Sequence, residues 1–195
     1  MESAGVGDRS SALWKEYVKA AVVAVILAFF IRTFVAQAFK IPSESMVETL
    51  LVGDHLLVNK LIYRFGSPQR GDIIVFEYPN DTTRDFVKRA IGLPGETLEV
   101  RGKTVYINGK PLDEKYTRFE ENPFSSSGPD YYFGPVKIPD GHLFMMGDNR
   151  NNSQDSRVWG MLDMRLVHGK AFIIHWSWDG DTYGVRWDRV GKLLK

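Results

Sequence analysis

"DFVKRAIGL", Asp85 to Leu93, reads as a strand rather than a helix, because it is short, carries aromatic and β-branched side chains and runs out at a glycine. Alternation sets Phe86, Lys88 and Ala90 on one face and Val87, Arg89 and Ile91 on the other. The same pattern recurs on both sides of it. "HLLVNK" (His55–Lys60), "DIIVFEY" (Asp72–Tyr78), "TLEV" (Thr97–Val100), "TVYI" (Thr104–Ile107), "HLFMMG" (His142–Gly147) and "KAFIIHW" (Lys170–Trp176) are each short and bounded by Gly, Pro or Asp. Asn108-Gly109 between apolar flanks predicts a tight hairpin, since both central residues of such a turn need positive φ. The expected fold is therefore mainly β, a mostly antiparallel sheet. From about Gly102 to Asp140 the pattern loosens around "ENPFSSSGPDYY", which predicts a small inserted subdomain at about 102–140, flanked by strands of the main sheet.

Ahead of this region the chain changes character. Ala20 to Ile31 is twelve residues without a polar side-chain atom, whereas a bilayer core needs roughly 20 apolar residues. Extended from Tyr17 to Phe39 the segment suffices, provided Lys19 and Arg32 snorkel and Gln37 lies near the interface. One N-terminal transmembrane helix is therefore expected, with residues 1–39 as cytoplasmic N-terminus and anchor and 40–195 as an extracytoplasmic domain. Arg9, Lys15 and Lys19 favour an N-terminus in the cytoplasm. A cleavable signal peptide is the rival, with Ala36-Gln37-Ala38 as its small-residue site, but Arg32 and Thr33 interrupt the required order. A buried soluble helix fits less well, since the run has no polar face.

A chain of 195 residues supports one main domain and a small appended lobe. The net charge of +1, with signs interspersed, gives no basic stripe and argues against nucleic acid. With no cysteine, disulfides and thiolate chemistry are excluded. No metal is expected: there is no His-x-x-x-His pair, and in "DNRNNSQD" Arg150 occupies a position where a calcium loop needs oxygen. Phosphate-loop motifs are absent, and "GLPG" (Gly92–Gly95) reads as a turn. No cofactor is implied. The oligomeric state is not readable.

"IPSESMVETL", Ile41 to Leu50, holds two serines just after the apolar segment. A serine hydroxyl becomes nucleophilic only with a base beside it. The four histidines, His55, His142, His168 and His175, have no context that marks one as that base. A lysine serves if an apolar setting lowers its pKa by roughly 2 to 3 units from about 10.4. Lys88, between Phe86-Val87 and Ala90-Ile91, has such a setting, although a solvated lysine on an edge strand is the plainer reading of the residues alone.

"IPSESM", "RGDIIVF" (Arg70–Phe76), "KRAIGLPGE" (Lys88–Glu96) and "GDNRNNSQDSRVWG" (Gly147–Gly160), in that order after an apolar anchor, resemble the motif set of bacterial type I signal peptidase, and the resemblance runs from about Lys19 to "VRWDRVGK" (Val185–Lys192). It implies Ser45 as nucleophile, Lys88 as general base, and an oxyanion hole made by the Ser43 hydroxyl and the Ser45 backbone N–H. Ser153 resembles the serine that orients the lysine, and Asp155 and Arg157 resemble its supports. Phe39, Ile41, Pro42, Leu50, Phe86 and Val87 match apolar substrate-pocket positions. The implied activity is a membrane-anchored serine endopeptidase that removes signal peptides from secretory preproteins after A-x-A sites. Its location would be the bacterial cytoplasmic membrane, single-pass, with the catalytic domain on the outer face. Partners would be preproteins and the lipid bilayer.

Against the family form "PSGSMxPTL", the chain has Glu44 for glycine and Glu48 for proline, and Glu96 stands for the more usual aspartate. Carboxylates close to Lys88 would favour its ammonium form, and a non-glycine at a positive φ would strain the turn. An alternative follows from the two glutamates: a catalytically impaired relative that binds signal peptides or acts as a membrane-surface scaffold. A Ser/Lys self-cleaving repressor would need an N-terminal DNA-binding domain, which Met1 to Phe39 does not supply.

Overall fold

The computed structural model of the chain describes residues 6–30, 36–120 and 131–194, and of residues 6–12 and 30 the backbone alone. The chain divides into two compact units, Met1–Gln37 and Ala38–Lys195.

In the first unit, helix α1 (Val6–Phe30) carries the apolar run. Trp14, Tyr17, Val23, Val25, Ile26 and Phe29 on it are exposed. Among the described residues no helix is long and apolar enough to cross a membrane. The span expected from Tyr17 to Phe39 is not one helix: the described part of α1 covers Val6–Phe30, and Ala36–Lys40 forms strand β1. Within β1, partly buried Phe39 is followed by exposed Lys40, and edge pairing with the next strand engages backbone groups that a helix would have bonded internally. The unit boundary accordingly falls at Gln37/Ala38 rather than after Phe39. Arg32 and Thr33 lie outside the described residues.

The second unit holds two sheets. β1 (Ala36–Lys40), β2 (Asp54–Asn59), β3 (Ile73–Tyr78), β4 (Asp81–Gly92), β9 (His142–Met146), β10 (Leu162–Asp163) and β11 (Val167–Asp179) form the large sheet in the order β1-β2-β11-β3-β4-β9-β10, and β12 (Gly184–Val185) pairs with β11. The pairings from β2 to β10 are antiparallel, as expected. β5 (Thr97–Arg101), β6 (Thr104–Ile107), β7 (Lys110–Pro111) and β8 (Tyr132–Lys137) form a second sheet in the order β7-β6-β5-β8. The inserted subdomain thus begins at Thr97, not near Gly102, and β5 belongs to it rather than to the main sheet. β8 lies in the stretch expected to be loop, because Gly134-Pro135 interrupts the alternation that marks a strand. Residues 121–130, most of "ENPFSSSGPDYY", are outside the described residues. Asn108 (φ 51°) and Gly109 (φ 77°) make the β6–β7 turn in the expected left-handed conformation.

β4 pairs with β3 up to Arg89 and with β9 from Arg89 to Gly92, and every residue from Val87 to Gly92 is buried. Its register pairs Phe86 with Phe76, Val87 with Val75, Lys88 with Ile74 and Arg89 with Ile73. One core cluster packs Ile41, Met46, Leu50, Val75 and Val87 on one face of the sheet; another packs Ile74, Phe76, Ala90 and Leu143 on the opposite face. A third cluster joins the subdomain to the large sheet, packing Leu98, Val105 and Ile138 against Ile91 of β4 and Phe144 of β9.

Candidate active site

From β1 the chain leaves the sheet at Ile41 and turns. The Val47 N–H donates to the Glu44 carbonyl at 3.1 Å and the Leu50 N–H to the Met46 carbonyl at 2.8 Å. Met46 and Leu50 are fully buried and hold the turn on the core, which leaves Ser43 and Glu44 exposed and Ser45 just beneath the surface. Leu50 is therefore a core side chain and not part of the groove wall, where the sequence had suggested it. The turn keeps running inward after Met46.

Lys88 reaches the same point from β4. Its ammonium is buried, donates to Ser45 Oγ at 2.7 Å and to the Val87 carbonyl at 3.1 Å, and lies 5.1 Å from the Phe86 ring centre. Burial lowers its pKa to about 8, against the opposing pull of Asp155 and then Asp148. At that value about a tenth of the molecules carry the free amine at pH 7. Ser43 Oγ stands 3.4 Å from Ser45 Oγ. The arrangement can remove a proton from a serine hydroxyl and offer a second hydroxyl to the oxygen of an attacked carbonyl.

The loop Gly147–Ser156 supports the pair from beneath. A Cβ on Gly147 would come within 2.5 Å of the Ser45 carbonyl oxygen and 2.2 Å of Ser153 Oγ, so the close approach requires glycine. Asn149 N–H donates to the Ser45 carbonyl at 3.1 Å. The Gly147 N–H donates to Asp155 at 3.0 Å, and Arg157 holds the same carboxylate through Nε and Nη2, both at 2.8 Å. Burial pushes the Asp155 pKa up, and the Arg157 bonds more than reverse it, so the group stays ionised below its usual range. Ser153 differs from expectation. Its hydroxyl is buried against Gly147 and helps to hold down the Asp155 pKa, and among the described residues Lys88 donates to Ser45 and the Val87 carbonyl rather than to Ser153.

Several members of this scaffold escaped the reading of the sequence. Arg89, on the face of β4 opposite Lys88, binds Asp148 through Nε at 2.9 Å and Nη2 at 2.7 Å, and Thr49 donates to the same carboxylate at 2.6 Å. The turn bearing Ser45 and the strand bearing Lys88 are thereby tied to one buried acid. Arg150 binds Glu114 at 2.8 and 2.5 Å. The available signal was alternation itself: a strand with Lys88 buried on one face and an internal position in the sheet must bury Arg89 on the other.

A groove of about 360 Å³ opens over Ser45 and Lys88. Phe39, Ile41, Pro42, Phe86 and Val87 line it, joined by Val75, while Lys40, Glu44, Arg84, Asp85, Asn152 and Gln154 give it a polar rim. Glu44 is exposed and does not adopt a positive φ, so the turn is unstrained there. Glu48 is 75% exposed and pairs with Arg118 at 2.9 Å. The carboxylates that act on Lys88 are Asp155 and Asp148, not these two glutamates. No histidine bonds to the dyad: His168 binds Asp85 at 2.8 Å, and His55 packs against His175. Among the described residues no group of three ligating side chains could hold a metal.

Residues 14–176 match the family described as "Signal peptidase, peptidase S26". The chain belongs to the signal peptidase family. Signal peptidase I of Leptolyngbya laminosa is 46% identical over 169 residues, covering 83% of this chain and 79% of that protein. Signal peptidase I S of Bacillus subtilis is 42% identical over 183 residues, covering 92% and 97%. A crystal structure of a signal peptidase I from Enterococcus faecalis V583 is 36% identical, with a TM-score of 0.45 over 54% of this chain and 97% of that one. The chain is accordingly an enzyme of the signal peptidase class, a hydrolase that cleaves peptide bonds.

Proposed function

We propose that the protein is a membrane-attached serine endopeptidase that removes signal peptides from secretory preproteins, cutting after small residues in an A-x-A pattern, with Ser45 as nucleophile and Lys88 as general base. The observation that carries this reading is the 2.7 Å contact between Lys88 Nζ and Ser45 Oγ in a buried, apolar setting. Neutral Lys88 takes the Ser45 proton as Oγ attacks the scissile carbonyl. Ser43 Oγ and the Ser45 N–H donate to the oxyanion. Collapse of the tetrahedral intermediate releases the mature protein's amine, to which Lys88 returns the proton. A water then gives its proton to Lys88 and attacks the acyl ester, and Ser45 leaves with that proton. Asp155, Arg157 and Ser153 act as positioning residues beneath the dyad.

The apolar walls of Phe39, Ile41, Pro42, Phe86 and Val87 support small apolar side chains before the cleaved bond, since larger ones would overpack them. Membrane attachment through the N-terminal segment is supported by the exposed apolar side chains of α1. Phe172, Trp176, Trp178 and Trp187, exposed on or beside β11, suit a lipid interface as well. An N-terminus in the cytoplasm of a bacterium and a catalytic unit on the outer face complete the proposal. An impaired binding relative draws its support from Glu44 and Glu48, and neither acts on Lys88.

The test is cleavage of a preprotein bearing an A-x-A site by the detergent-solubilised protein, with Lys88→Ala alongside and the product N-terminus sequenced. Cleavage after the second alanine that vanishes in Lys88→Ala is the expected result. A folded wild type that leaves the preprotein intact across pH 7 to 10 sinks the proposal.

A further inference from the structure

Two carboxylates line the groove, Glu44 and Asp85. Asp85 is engaged by His168 at 2.8 Å. Glu44 has no ion-pair partner among the described residues, and it precedes the nucleophile by one residue. Its backbone is fixed, because Asn149 Nδ2 donates to its carbonyl at 3.3 Å while Val47 N–H donates to the same oxygen at 3.1 Å. An exposed carboxylate on a fixed turn beside the reacting atoms has no counter-charge unless the substrate brings one.

The cations of the rim are disposed elsewhere. Arg84 lies four residues from Lys88 along β4, about 13 Å at the strand rise, with its guanidinium over the rings of Phe86 and Tyr78. Lys40, also on the rim, is exposed and makes no ion pair with Glu44 among the described residues. On the peptidase reading the apolar walls take the side chains before the cleaved bond, which leaves the charge of Glu44, one residue from the nucleophile on the polar rim, to the residue just after it.

We infer that Glu44 is a specificity-determining residue that favours preproteins whose mature part begins with a basic side chain and disfavours those beginning with an acidic one. This rests on the peptidase reading above. The pair would form near water, so the preference is modest, about two- to fivefold in kcat/KM between a lysine and a glutamate. Salt shortens the range of the field and compresses the ratio.

The experiment uses three peptides with one A-x-A site and Lys, Gln or Glu as the first residue after it, cleaved by the full chain, Glu44→Gln and Glu44→Lys at low and high salt. The expected order for the wild type is Lys above Gln above Glu, with the Lys-to-Glu ratio falling towards one in high salt. In E44Q the ratio collapses to about one, and in E44K it inverts. Because each enzyme supplies its own ratio, a change in its overall rate does not affect the reading. An equal ratio in wild type and E44Q overturns the inference while leaving the peptidase intact. Failure of the wild type to cleave any of the three overturns the peptidase reading and this inference together.

Discussion

An ammonium at Lys88 has burial against it and two carboxylates, Asp155 and Asp148, in its favour, and burial prevails. The acid limb of kcat/KM is therefore expected to titrate as one group near pH 8, where the base becomes free, and Asp148→Asn should move that limb to lower pH by removing an attraction for the charged form. A pH–rate profile checks both. Folding carries the same signature. The folded pKa lies below the ordinary 10.5, so between about pH 8 and 10.5 the unfolded chain binds more protons and stability rises with pH. Relative to Lys88→Met, the wild type should gain roughly 3 kcal/mol from pH 7 to 10.5, read by denaturant unfolding of both proteins. Gly147→Ala pushes on the Ser45 carbonyl and Ser153, and a displacement of about an ångström at the nucleophile should cost on the order of a hundredfold in kcat. A wild-type rate in a folded Gly147→Ala would refute that assignment.

β4 shows how far the sequence carries and where it stops. Its alternation, its central Lys88 and its neighbour β3 are readable from "DFVKRAIGL" and "DIIVFEY", because apolar periodicity is what the sheet selects. The burial of Arg89 follows from that alternation only once β4 is placed inside the sheet, since its partner Asp148 is 59 residues away and a charged residue in a strand otherwise implies solvent. Long-range pairing is the information that local pattern lacks. The same gap explains Leu50, read as a groove residue when the Met46–Leu50 turn buries it, and β1, whose apolar composition suits a helix until β2 offers a backbone to pair with. Arg89→Met should destabilise by about 3 to 5 kcal/mol, because it strands the Asp148 carboxylate in the interior. Adding Asp148→Leu should return most of the loss, and a double variant no better than the single would show that the pair is not the source of the effect.

At the level of the full chain, the proposed function gives the first unit the task of position and the second that of chemistry. The second unit contains both sheets, all three core clusters and every residue of the dyad, so a chain starting at Ala36 is expected to unfold cooperatively and to cleave soluble A-x-A peptides. It should float less with anionic phospholipid vesicles than the full chain does, and flotation equal to the full chain would show that α1 is not the attachment. The N-terminal segment was legible as an apolar helix but not in its extent, because composition does not say that Ala36–Lys40 leaves it to pair as a strand.

The antiparallel register of β3 and β4 pairs Ile74 with Lys88. A slip of one residue would turn Arg89 to the groove and carry the amine to the far side of the sheet. Ser45 and Lys88 come from a turn and a strand 43 residues apart, so on the proposed reading the newly made chain would be chemically silent until that ladder closes in the correct frame. Latency is therefore built into the topology. On the proposed reading, misfolded and half-folded copies would be held inactive by the same register that makes the enzyme, since they would lack a base at the serine.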